Sequence, residues 1–134
     1  SLLRRLSFTL VQFSGGTPLS WLKALNQTRN ICAHHARLWN REFGIKPLIP
    51  RKNKHPEWHT PVPIPNNRLF GMLTVLHFLL IQVAPKSRWK QRLKRLFQDY
   101  SDIPLSATGF PHNFESSPLW QNPQEHVDEP EWSI

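Results

Sequence analysis

Six of the chain's thirteen prolines fall between residues 45 and 66, in IKPLIPRKNKHPEWHTPVPIPN. Proline fixes φ and lacks an amide donor, so neither a helix nor an inner strand survives that density. The stretch reads as an extended, irregular connection, and it divides the chain into helical blocks on either side.

Before it, Leu2, Leu3, Leu6, Leu10 and Val11 recur at near-helical spacing with Arg4 and Arg5 between them. Gly15-Gly16 breaks that pattern. Thr17-Pro18 then has the form of an N-cap with proline at the first helical position, which predicts a long helix from about Pro18 to Glu42, ending near Gly44. After the connection, the segment from 66 to 85 (NNRLFGMLTVLHFLLIQVAP) is a strongly apolar helix. Its uninterrupted apolar part is too short for a membrane span, His77 interrupts it and Pro85 ends it, so a buried core helix is expected. Residues 86–100 (KSRWKQRLKRLFQDY) are amphipathic. Trp89, Leu93, Leu96, Phe97 and Tyr100 form one stripe, and Arg88, Lys90, Arg92, Lys94 and Arg95 lie off it. The remainder of the chain is rich in Pro, Ser and Asn and mostly non-helical. No repeat and no long alternating strand pattern occurs. The expected fold is all-α: one domain over residues 1–120, with 121–134 an acidic, flexible tail.

At 134 residues the chain suffices for one compact domain with a modest core. Its 17 Lys and Arg against 9 acidic residues give a formal charge of +8, which favours anionic partners, nucleic acid ahead of an anionic membrane. A basic protein without such a partner would have the same composition. The one cysteine, Cys32, excludes an internal disulfide framework and fits a reducing compartment. The opening SLLRRLSFTL has no initiator Met and no small-residue cleavage site, so no signal peptide is expected, and a start in mid-pattern suggests a fragment or a processed chain.

The stretch RNICAHHARLWNR, residues 29–41, carries far more polar chemistry than a purely structural helix needs. At about 100° per residue, Trp21, Ala24, Leu25, Ile31, Cys32, Ala36 and Trp39 cluster as a buried stripe. Asn30, His34, Arg37 and Arg41 form a line on the opposite side, spaced i, i+4, i+7 and i+11. Arg29 sits on the border. His34 therefore points away from the helix's own core, towards solvent, ligand or another subunit, and His35 falls among the apolar residues.

SWLKALNQTRNICAHHARLWNR, with GFPHNFESSPLW further on, resembles the Abi-like family of bacterial abortive-infection proteins, within the HEPN superfamily. The superfamily signature, an arginine and a histidine a few residues apart with a polar residue directly after the arginine, reads here Arg29-Asn30-Ile31-Cys32-Ala33-His34. The resemblance implies a HEPN-like helical bundle that cuts RNA without a metal or other cofactor. It implies a homodimer in which two motifs meet in one composite site, and a bacterial cytoplasmic location. Family members are usually longer at the N-terminus.

The residue types suit that chemistry. Metal-free RNA cleavage removes a proton from the 2′-hydroxyl and gives one to the departing 5′-oxygen, and an imidazole can do either near neutrality. His34 would be general base or acid, Arg29 the phosphate clamp, and Asn30 a group that orients the imidazole or bonds a phosphate oxygen. Arg37 and Arg41, with Arg88 and Arg92 on the later basic helix, are cast as RNA-backbone contacts. The activity would be held in check by an antitoxin protein or an inhibitory RNA. Two other readings stand beside it. One is a non-catalytic HEPN-type module that only grips RNA, and the other a membrane-associated protein built on residues 66–85.

Three further features carry less. HPEWH, His55 to His59, is not H-E-x-x-H, and the prolines around it argue against a helix that would hold both histidines on one face, so loop histidines are expected. Trp58, Trp89 and Trp120 could stack bases, but core packing is the default. FSGGTP, residues 13–18, opens a helix and could bind an anion there; a turn before a cap explains it equally well.

Overall fold

The computed structural model describes residues 4, 7, 10–13, 16–33, 42–84 and 86–121. Within them lie three full α-helices: α1 (Thr17–Ala33), α2 (Leu69–Val83) and α3 (Trp89–Asp99). Short 3-10 turns occupy Pro56–Trp58, Leu105–Thr108 and Phe114–Ser116, and no strand occurs among the described residues. The fold is all-α. Arg4, Ser7 and Leu10 are also helical, as the leucine spacing predicts.

α1 starts one residue earlier than its sequence suggests. The Gly16 carbonyl accepts the Ser20 amide at 2.9 Å, so Gly16 takes the cap position and Pro18 is the second helical residue. First-turn amides have no intrahelical partner, so proline's missing donor is tolerated there. Residues 34–41, over which the sequence pattern continues the helix, lie outside the described residues, and Glu42 is non-helical.

α2 organises the rest. It is apolar nearly all round, and a helix of that kind has to be enclosed. Phe70, Gly71, Met72, Thr74, Val75 and His77 are buried. Three helices do not suffice to surround it, and irregular segments supply the remaining cover. Trp58, Val62 and Ile64 come from the proline-rich connection, and Phe110, Phe114, Leu119 and Trp120 from the block after α3. Rings make up much of this cover. Trp21 and Trp58 lie 5.5 Å apart with Phe78 beside both, and Phe70 meets Phe110 at 4.7 Å. A smaller cluster of Ala24, Phe43 and Met72 seals α1 against α2.

The connection is irregular yet well tied, because α1 provides the partners its own backbone lacks. Trp21 Nε1 donates to the Leu48 carbonyl at 2.8 Å, and the Leu48 amide donates to Ser20 Oγ at 2.8 Å. The Ile45 amide reaches Gln27 Oε1 at 3.2 Å. At the far end the Asn66 side chain donates to the Pro47 carbonyl at 2.9 Å. The GFPHNF block turns at Gly109, whose φ of +85° is open to glycine and strained for other residues. Arg68 donates to the Ala107 carbonyl and fixes the turn before it.

Three details of α3 differ from its sequence pattern. No residue of the helix is fully buried. Leu96 and Tyr100 are 50% and 57% exposed, because Leu96 lies at the edge of the stripe and Tyr100 is past the last helical turn. The packed face is Trp89, Leu93 and Phe97.

Gly71 marks the closest approach of connection and helix, since a Cβ built there would run into the Pro65 carbonyl oxygen and lie 3.1 Å from Asn66 Cα. Replacing Gly71 with Ala should destabilise the chain by about 3 kcal/mol in urea denaturation. A loss of under about 0.5 kcal/mol, the level of a neutral surface change, would mean that the two segments do not pack this tightly.

Candidate nucleic-acid interface

On α1 the outer face is formed by Leu19, Leu22, Lys23, Asn26, Arg29 and Asn30, all exposed, while Trp21 and Ala24 face the core. Arg29 is thus clear of the core rather than on the border of two faces. Its Nη1 donates to Asn30 Oδ1 at 3.1 Å. The amide therefore orients the guanidinium, a role that the sequence pattern does not suggest for it. A planar guanidinium steadied along one edge keeps its other donors for an anion. No carboxylate pairs with Arg29 among the described residues. His34, Arg37 and Arg41 lie outside the described residues, as does His35.

The five cations that the sequence groups together, Arg88 just before α3 and four within it, divide between two flanks. Lys90 and Lys94 turn towards the block after α3. Lys90 donates to the Trp120 carbonyl, and Lys94 meets Glu115 at 3.1 Å. They hold the fold. Arg88, Arg92 and Arg95 lie on the other flank with Gln91, lining an open cleft of about 230 Å³. All four side chains line its wall, and no carboxylate pairs with these arginines among the described residues. Arg95 and Gln91 join the expected pair Arg88 and Arg92 through their i, i+3, i+4, i+7 spacing, a signal present in the sequence. Among the described residues no hydrogen bond or ion pair joins this cleft to Arg29 and Asn30.

α3 is set in place by a buried cluster at its start. Trp89 Nε1 donates to His77 Nδ1 at 2.9 Å, and the His77 ring stacks on Trp120 with centroids 4.5 Å apart and planes 5° from parallel. An imidazole that accepts at Nδ1 is neutral and carries its proton on Nε2, a buried atom with no partner among the described residues. Burial, reinforced by the positive charge of Lys90, lowers the His77 pKa from 6.5 to about 4.

Trp58 and Trp120 are fully buried and Trp89 is packed against the core, so none of the three is presented for base stacking. His59 Nε2 lies 2.6 Å from the Pro50 carbonyl, and His55 packs on Phe13. Among the described residues no group of three His, Cys, Asp or Glu side chains could hold a metal ion. No helix among them is long and apolar enough to cross a membrane.

The outward Arg29–Asn30 pair falls inside a stretch that matches a family model. Residues 6–40 match the model of the Abi-like protein family. This segment is similar to that family. It includes all of α1 and extends over His34 and Arg37. The second block of the resemblance, residues 109–120, lies outside the match, and its rings serve the core around α2. No curated protein and no solved structure matches the chain.

The His77 shift sets a pH dependence. Its folded pKa lies below the unfolded value, so its contribution is complete above pH 6.5 and is lost as pH falls towards 4. The loss over that window is at most about 3 kcal/mol. Denaturation curves at pH 7 and pH 4.5 should show it, and His77→Gln should flatten the difference. An unchanged difference in that variant would remove His77 as its source.

Proposed function

We propose that this chain is the RNA-cleaving subunit of an abortive-infection system: a HEPN-type endoribonuclease whose site is assembled from two copies of Arg29, Asn30 and His34. The observation that carries the reading is the outward Arg29–Asn30 pair on α1, inside the Abi-like segment and in no ion pair with a carboxylate among the described residues. In the proposed reaction one His34 takes the proton of the 2′-hydroxyl as its oxygen attacks phosphorus. The P–O5′ bond breaks, and the second His34 protonates the departing oxygen. The products are a 2′,3′-cyclic phosphate and a 5′-hydroxyl. Arg29, steadied by Asn30, holds the non-bridging oxygens as their charge grows.

One imidazole per chain supplies either the acid or the base, so the chemistry asks for a pair. The face that carries Arg29 suits a second copy, since Leu19 and Leu22 beside it are 55% and 58% exposed. Arg37 and Arg41, with the Arg88 and Arg92 cleft, would hold the RNA backbone. DNA lacks the attacking hydroxyl and would be spared. The activity would be restrained in a bacterial cytoplasm by an antitoxin protein or an inhibitory RNA.

Cleavage of single-stranded RNA in the presence of a metal chelator tests the reading. His34→Ala and Arg29→Ala should each lower the rate by at least about 10²-fold. Full activity in His34→Ala would refute the assignment, and binding without cleavage by the unaltered chain would favour a non-catalytic RNA-binding module.

The arginine cleft makes a separate prediction. Changing Arg88 and Arg92 together to Gln should weaken RNA binding alike for all sequences. The slope of log affinity against log salt should fall by about 1.4, or about 0.7 for each single-strand phosphate that is no longer neutralised. An unchanged slope would take this cleft out of the RNA path.

A further inference from the structure

The start of α1 faces the proline-rich connection across a cavity of about 350 Å³, which the proposed RNA cleavage does not use. Phe13 and Thr17 line one wall, and Arg51, Lys54 and His55 the other. A tight turn sets the three basic side chains on one side: the Lys54 and His55 amides both donate to the Arg51 carbonyl, at 3.2 and 2.8 Å. The turn is anchored beneath, where the Pro50 carbonyl meets His59 Nε2. The His55 ring packs on Phe13 with centroids 4.7 Å apart and ties the two walls together.

We propose that this cavity binds the phosphate group of a phosphomonoester, held between Arg51, Lys54 and His55 and the open amides at the N-terminus of α1. Thr17 points to a ligand independently of the helix end. The residue is only 7% exposed and lines the cavity. Its carbonyl is taken by the Ser20 hydroxyl at 2.7 Å, but its own hydroxyl has no hydrogen-bond partner among the described residues. A hydroxyl on the cavity wall that no described group engages is free to donate to a phosphate oxygen there. The helix contributes the partial positive charge of its first turn, where Pro18 leaves the Thr17 and Leu19 amides as donors.

Charge supports the same ligand. Arg51 and Lys54 are exposed and meet no carboxylate among the described residues. The acidic neighbour is Glu57, 3.7 Å from His55 Nδ1, and it does not line the cavity. Ligand cavities commonly span about 300 to 1,000 Å³, so this one is at the small end. It admits a phosphate and an attached sugar, not a folded RNA. The group can come from a free mononucleotide or from the 5′ end of a strand.

Titration of the isotope-labelled full chain with inorganic phosphate, followed by NMR, tests the proposal. Shifts should concentrate at Phe13, Thr17, Leu19 and His55. The affinity read from the Thr17 and His55 shifts should fall by about tenfold or more in the R51Q/K54Q variant, with its fold retained by circular dichroism. Equal phosphate affinity in R51Q/K54Q, or no shift at Thr17 and His55, would overturn it. A 5′-mononucleotide and a short oligoribonucleotide with and without its 5′-phosphate then separate the two sources, the tighter phosphorylated ligand naming the natural one. Retained phosphate binding in His34→Ala would separate this cavity from the cleavage site.

Discussion

Enclosure of α2 is the constraint on which the rest of the molecule depends. It is apolar nearly all round, so leaving a broad side open would expose hydrophobic surface to water. α1 and α3 can cover only part of it. The other sides are closed by chain that forms no long helix, and such chain covers well only when its side chains are large and rigid. That accounts for the tryptophans and phenylalanines of the connection and of residues 109–120. Offset and edge-on ring contacts, such as Phe110 against Phe114 at 5.1 Å and 90°, fill the space with few rotatable bonds to immobilise.

Irregular backbone near a core raises a second demand, because its polar groups have to be satisfied without a regular ladder. Here α1 meets it with side chains. Ser20, Trp21 and Gln27 look like ordinary helix residues, yet each bonds the backbone of the connection. α1 thus has two working sides. One clasps the connection, and the other presents Arg29 and Asn30 outward.

Much of the fold could be read from local pattern. The extent of α2 follows from an apolar run bounded by Asn66 and Pro85, and that of α3 from its stripe. The default for tryptophan, core packing, describes Trp58 and Trp120. Relations between distant segments were not legible. A helical wheel separates cations from the apolar stripe, but it cannot say that Lys94 meets Glu115 while Arg95 does not, because the acidic partner lies beyond the helix. The basic wall opposite Phe13 and Thr17 was hidden in the same way, since Arg51 and Lys54 belong to a segment whose path depends on hydrogen bonds from α1. In the candidate site, the outward position of Asn30 was visible in the spacing. The bond from Arg29 to Asn30 was not, because it depends on rotamers rather than register.

The buried stack of His77 on Trp120, with Trp89 bonded at its edge, has a practical consequence. It couples an ionisable ring to two indoles at the junction of α2, α3 and the segment after them. Asymmetric, fixed surroundings of that kind give aromatic side chains their near-ultraviolet circular dichroism, which vanishes when packing loosens even if helices persist. The chain therefore carries an intrinsic optical gauge of its tertiary order, and a compact but loosely packed state could be told from the native one by spectroscopy alone.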